Sequence, residues 1–234
     1  MKNSIIYFTL FFSLSCIAQS NTFSATYNVT IIPKIESQIF KMYLEKYPNL
    51  INDSKTLEFQ LKSNGTETWF NLLPNKTIDS GEESYFQGIL NFRQTWSNAQ
   101  NIYQLEPQTF AYNKCLIQRK WDKNWQLTTE TKLIQNYKCF KATYNKLIDK
   151  DKGTYETITA WYCPELPYPI GPNGVFGLPG LIMELHSKSA IFGISKIEIN
   201  SNTKSIEPMP KVEILSEEEY EKRSKEGMEL FFKQ

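Results

Sequence analysis

Period-two alternation is the feature that most restricts this chain. In "FSATYNVTI", Phe23, Ala25, Tyr27, Val29 and Ile31 alternate with Ser24, Thr26, Asn28 and Thr30. In an extended strand that spacing places the apolar side chains on one face and the polar ones on the other. "TLEFQLK" repeats it with Leu57, Phe59 and Leu61 against Glu58, Gln60 and Lys62, and "SNG" at 63–65 turns the chain into "TETWFNLL". Strands with one wet face belong to antiparallel sheets. The expected fold class is therefore mainly β: a single curved antiparallel sheet, an open barrel or bowl, with one short early helix and a C-terminal helix. The early helix is expected in "ESQIFKMYLEKY" (36–47), where Ile39, Met42 and Tyr43 fall at helical spacing before Pro48. The late one starts at about residue 216, because Ser216 followed by Glu219 forms a capping box and Glu217 to Glu219 suit a helix N-terminus. Residues 74–86, "PNKTIDSGEESYF", are expected as a loop.

Two hairpins are expected from register. Trp121 and Trp125 flank "DKN", a connection that would bring both indoles across from each other. Around "DKDKG" (149–153), one register pairs Phe140 with Tyr162, Ala142 with Ala160 and Tyr144 with Ile158 on one face. On the other it pairs Lys141 with Trp161, Thr143 with Thr159 and Cys139 with Cys163. A slip of one residue would set apolar residues against polar ones throughout. Directly opposed Cα atoms stand about 4.5–5.5 Å apart, within the about 4.4–6.8 Å a disulfide needs. A Cys139–Cys163 disulfide is expected, with Cys115 left free. "LIMELHSK" and "AIFGISKIEIN" read as a further hairpin with Ser189 near its tip.

The first residues, "MKNSIIYFTLFFSLSCIAQS", combine a basic start at Lys2, an apolar run and small residues at Cys16 and Ala18. They read as a secretory signal peptide over 1–18, followed by a single β-rich domain over 19–234. Lipidation at Cys16 is disfavoured by Ser13, which stands where a bulky apolar residue is wanted. Removing the leader takes away only Lys2, which leaves 25 basic residues against 25 acidic ones. A neutral chain without a basic run argues against nucleic acid as partner. No later stretch is apolar enough to span a membrane. The chain is expected in the periplasm, associated with the outer membrane, or secreted, and export makes a disulfide the default for two of the three remaining cysteines.

From Pro164 to Gly180 the chain holds five of its 11 prolines and four of its 10 glycines. "PELPYP" is expected to run extended. "GPNG" and "LPGL" each match a β-turn with proline second, and Gly180 would supply the positive φ of a type II turn. The plain reading is a rigid corner between hairpins. A functional reading makes it a stiff lip that presents Tyr168, Ile170 and Phe176 to a ligand beside Trp161 and Tyr162.

The hexapeptide Gly177, Leu178, Pro179, Gly180, Leu181, Ile182, together with "WQLTTETKLIQNYKCFKAT" (125–143) and "TAWYCPELPYPIGPNGVFGLPGLIMEL" (159–185), resembles the GLPGLI family of exported proteins of Bacteroidetes-type bacteria. Cys163 departs from the family pattern, where a threonine or similar residue is expected. The resemblance implies a cell-envelope β protein of unassigned molecular function and carries over no catalytic residue.

Chemistry-bearing residues are few. The lone histidine, His186, follows Glu184 by two, so on a strand both point to one face, as a base with its orienter or as two metal ligands would. One histidine does not complete a zinc set, so no metal is expected. No HExxH, GxSxG or phosphate-cradling glycine loop occurs, and no cofactor is implied. Asp122, Asp149 and Asp151 fall in expected turns, where aspartate bonds locally. Cys115, with Lys114 and Arg119 nearby, is a nucleophile only if its thiol pKa is depressed. Aromatic residues make up 14% of the chain, enough for a few to line a concave face. The expected function is non-catalytic: a binding, carrier or accessory protein for an apolar, glycan or peptide ligand. The rivals are an envelope hydrolase acting on glycans or peptides, and a structural protein with no ligand.

Overall fold

The first strand sits in the middle of the sheet. In chain order the computed structural model contains β1 (Phe23–Ile31), α1 (Gln38–Lys46), α2 (Leu50–Asp53), β2 (Glu58–Ser63), β3 (Glu67–Leu72), α3 (Ser80–Leu90), β4 (Thr95–Asn98), β5 (Asn101–Glu106) and β6 (Cys115–Lys120). There follow β7 (Gln126–Ile134), β8 (Tyr137–Asp149), β9 (Thr154–Cys163), β10 (Leu181–His186), β11 (Ala190–Ile199), β12 (Glu213–Ser216) and α4 (Glu217–Phe231). The structure describes residues 22–231 apart from 35, 77, 79, 110, 111, 121–123, 150, 151 and 200–205. The expected leader with Cys16, and Trp121, Asp122 and Asp151, lie outside the described residues. Among the described residues no helix is long and apolar enough to cross a membrane.

The strands form one sheet in the order β12-β6-β5-β4-β3-β2-β1-β11-β10-β9-β8-β7. Every neighbouring pair is antiparallel except β12, which runs parallel to β6. Curvature follows from connectivity. Strands β6 and β7 are ten positions apart in this order, roughly 48 Å if the sheet were flat. Only residues 121–125 join them, and a fully extended chain of that length reaches at most about 22 Å. The sheet must therefore curl until its ends approach. Consistent with that, burial and then the charge of Arg119 on β6 push down the pKa of the Lys146 ammonium on β8.

The alternation read from sequence carries the core. Phe23, Ala25, Tyr27, Val29 and Ile31 of β1 are all buried, with Phe59 and Leu61 of β2 and Phe70 and Leu72 of β3 beside them. The Phe59 ring stacks on Phe70 at 5.6 Å and meets Phe92 and Phe192 edge-on at 4.9 and 5.1 Å. The Tyr27 hydroxyl donates to the Ile182 carbonyl at 2.7 Å, and burial pushes its pKa well above the ordinary value. On the opposite face a smaller cluster of Trp69, Trp96 and Leu116 lies under Ile206 and Val212. It is pinned by the Trp96 indole N–H, which donates to the Glu207 carbonyl at 2.7 Å.

The hairpin of β8 and β9 has the expected register, from Phe140 opposite Tyr162 to Tyr144 opposite Ile158. Strands β10 and β11 pair as expected with Ser189 between them, and α4 starts where Ser216 accepts from the Glu219 N–H at 3.2 Å. Three expectations are corrected. The early helix forms and is capped by Ser37, but its buried residue is Phe40, while Ile39 and Met42 are 62% and 63% exposed. The expected loop over 74–86 runs into α3, because Phe86, Ile89 and Leu90 form a buried helical stripe that Gly81 and Gly88 disguise. The strands on either side of "DKN" do not pair with each other: β6 pairs with β5 and β12, and β7 pairs with β8.

Candidate functional site: a polar cluster beside a proline–glycine corner

The corner after β9 is held by backbone bonds with little regular structure. The Tyr168 N–H donates to the Leu166 carbonyl and the Ile170 N–H to the Tyr168 carbonyl, both at 2.7 Å. Two turn assignments change. The first turn is framed one residue later than "GPNG": the Val175 N–H donates to the Pro172 carbonyl at 3.0 Å, with Asn173 and Gly174 central at φ 55° and 70°. Two left-handed central residues make this a type I′-like turn, the geometry Asn-Gly favours, and it closes the bridge of Ile170 to Phe176. The second is tighter than a type II turn: the Gly180 N–H donates to Leu178 two residues back at 2.8 Å, and the Leu181 N–H goes to the Leu166 carbonyl at 2.9 Å. Gly180 has φ 154°, and a Cβ there would stand 2.1 Å from the Cys163 carbonyl oxygen. Its glycine is demanded by that approach. Leu178, Leu181 and Ile182 are buried, while Gly177 and Pro179 are exposed.

The five residues expected to face a ligand are split between two faces: Ile170 bridges to Phe176, and Tyr162 lies in the core against which Tyr168 and Ile170 pack. Trp161 and Tyr162 are consecutive on β9 and point to opposite faces. Tyr162 and Phe176 are buried, at 6% and 7% exposure. Tyr168 packs on the Phe23 ring at 4.2 Å, and the Phe176 carbonyl accepts from the Trp125 indole at 3.2 Å. Tyr162 and Phe176 are thus interior side chains, and Tyr168 is half-buried against Phe23.

Trp161 instead belongs to a cluster on the polar face. Across β8, β9, β10 and β11 the opposed residues run Lys141, Trp161, Glu184, Gly193. From the edge strand β7, the Lys132 ammonium lies 4.4 Å from the Trp161 ring centre and 2.6 Å from Glu184 Oε1. His186 Nε2 contacts the same oxygen. The side chains of Lys132, Glu184 and His186 are half-buried. Burial pushes the Glu184 pKa up, but hydrogen bonds from His186 and Lys132, with the Lys132 charge, outweigh it and hold the carboxyl below its ordinary range. A carboxylate only accepts, so Nε2 carries the hydrogen and the other ring nitrogen is left to meet a ligand. A second ion pair, Lys141 to Glu130 at 2.9 Å, borders the cluster.

Part of this structure is matched elsewhere. The model of a protein family of unknown function, Porph_ging, matches residues 149–184. The matched stretch runs from the β8–β9 turn through the corner to Glu184, and includes Trp161 and the hexapeptide 177–182 but not His186. Two crystal structures of PNGF-II are similar in fold at 14% identity: one in space group P21, with TM-score 0.51, and one in C2, with 0.52. Each alignment covers 88% of this chain, and this chain spans about a third of theirs, 34% and 33%. No curated protein matches the sequence.

Neither Cys115 nor Cys139 is activated. Burial, then the Glu106 and Glu213 charges, raises the pKa of the Cys115 thiol, so Lys114 and Arg119 do not make it a nucleophile. Burial pushes Cys139 up to about 12. The paired register of β8 and β9 ends at Phe140–Tyr162, one step short of Cys139 and Cys163; the thiols of Cys115, Cys139 and Cys163 are free and the expected disulfide is not formed. Cys139 Sγ donates to the Tyr137 carbonyl at 3.5 Å.

Glu184 and His186 were legible as a same-face pair; Lys132 was missed. It reaches them only because β7, β8, β9 and β10 lie side by side, and three successive registers were needed to find it. The cluster has a pH signature. Since the folded-state pKa of Glu184 is lowered, its stabilisation is fully present above the ordinary carboxyl value of about 4.3 and is lost as pH falls through the lower folded value. Urea unfolding from about pH 7 to about pH 2 is expected to show a steeper acid loss for the wild type than for Glu184→Gln.

Proposed function

We propose that the chain is an exported cell-envelope protein of the GLPGLI kind, a leader followed by one β-rich domain, that binds its ligand without converting it. The polar-face cluster supplies recognition: Trp161 as a flat surface, the remaining ammonium hydrogens of Lys132 as donors, Glu184 as acceptor and the second ring nitrogen of His186 turned to the ligand. These groups suit a hydroxyl- or amide-rich ligand, a glycan or a peptide. The observation that carries the reading is the carboxylate held ionised between two donors beside an indole, all half-buried on the sheet. With both donors engaged, Glu184 is a poor base and a good fixed dipole for recognition.

Native mass spectrometry of the protein purified from the cell envelope tests this. A bound species is expected on the wild type and is expected to be lost from Trp161→Ala and Glu184→Gln. A wild type that never carries one, or variants that retain it, would sink the reading. Export to an oxidising compartment also lets Cys139 rotate from the Tyr137 carbonyl to Cys163, and the same spectra then show a chain lighter by two hydrogen atoms.

One observation favours a second reading, a hydrolase: the direct contact of His186 Nε2 with Glu184, which orients an imidazole for proton transfer. A turnover of glycan or peptide substrates that disappears in a folded His186→Ala variant would replace the first reading with this one.

A further inference from the structure

A groove of about 310 Å³ lies between α1, α3 and the loops beyond β1 and β10, at the low end of the range of small-molecule sites. Its floor is apolar: Phe40 and Ile89 are buried, and Ile32 and Tyr43 form the walls. At its rim stands Lys34, an exposed ammonium with no ion-pair partner among the described residues. A second observation points the same way. Gly88 lines the groove from inside α3, where glycine is destabilising relative to alanine. Packing does not require it, since a Cβ there would meet only the Tyr43 hydroxyl, at 3.6 Å, an ordinary contact. What the missing side chain preserves is the space between the helices.

We propose that this groove binds a small amphiphile with an apolar body and an anionic head, the body lying on Phe40 and Ile89 and the head meeting Lys34. Decanoate is a suitable probe. The site is independent of the polar-face cluster, so Trp161→Ala must leave decanoate binding unchanged whatever becomes of the function proposed above.

Isothermal titration of decanoate into the full protein is expected to give saturable one-site binding. Gly88→Met, which fills the groove, is expected to weaken it by about tenfold or more while the protein still unfolds cooperatively. Lys34→Gln is expected to weaken it by roughly twofold to fivefold, as an exposed charge contact should. Should Gly88→Met fail to fold, Ile39→Trp at the exposed rim closes the mouth without touching the core and is expected to have the same effect. No saturable binding to the wild type, or unchanged affinity in a folded groove-filling variant, overturns the proposal. Decyltrimethylammonium binding as tightly as decanoate overturns the anionic head.

Discussion

Gly180→Ala is expected to destabilise the protein by at least about 3 kcal/mol, and Gly180→Val by more, because a close approach and a glycine-only backbone conformation add. The Cβ would lie 2.1 Å from the Cys163 carbonyl oxygen, 2.5 Å from its carbon and 2.9 Å from the Pro164 Cα. All three are backbone atoms, so no flexible side chain can yield. They lie at the end of β9 and on the residue just after it, and β9 is paired to β10 through Leu181 opposite Cys163. Relief of the clash would have to open that pairing. A second glycine separates strain from contact: Gly153 has φ 59° but nothing within 4 Å of a would-be Cβ, and Gly153→Asn is expected to cost no more than about 1 kcal/mol, since asparagine tolerates the left-handed region. Denaturant unfolding of both variants checks the contrast. A Gly180→Ala protein as stable as the wild type would mean that the corner does not press against β9.

Phe59→Ala is expected to cost about 3–5 kcal/mol. Phe59 is fully buried on a central strand, and its ring meets Phe70, Phe92 and Phe192. These come from β3, from the segment after α3 and from β11, three parts of the chain anchored by separate hydrogen bonds. They cannot close together over the space left by the ring, so the cavity cost stays on top of the lost transfer energy. Phe59→Leu keeps most of the volume and is expected to lose less than half as much. The measurement is the shift in urea midpoint at unchanged slope. A Phe59→Ala loss below about 1 kcal/mol would show that the cluster repacks.

Local pattern and distant topology were legible to different degrees. The β8–β9 register could be read because both faces of the hairpin carry information: a slip would bury Lys141 and expose Ala142. Helix α3 could not, because Gly81, Gly88 and several acidic residues surround its buried stripe of Phe86, Ile89 and Leu90. The "DKN" stretch misleads for the opposite reason. Its local signal resembles a hairpin, but the partners of β6 and β7 are set by β5 and β8, and no short window of sequence contains that competition. The corner lies between these cases. Its glycines were recognised as necessary, but Gly180 is required by an atom 17 residues earlier, the Cys163 carbonyl. The candidate site follows the same rule: residues two apart on one strand were found, and the lysine delivered from the sheet edge was not.

The place of β1 in the sheet order has a kinetic consequence. Its neighbours are β2, close in the chain, and β11, whose residues 190–199 are nearly the last of the sheet to be made. A chain emerging N-terminus first therefore carries an apolar strand with one open flank until almost all of it has been delivered. Contacts of such long sequence separation fold slowly and leave strand edges available for mispairing. This architecture calls for protection of the emerging chain, and refolding in vitro should be limited by the late closure of β1 against β11.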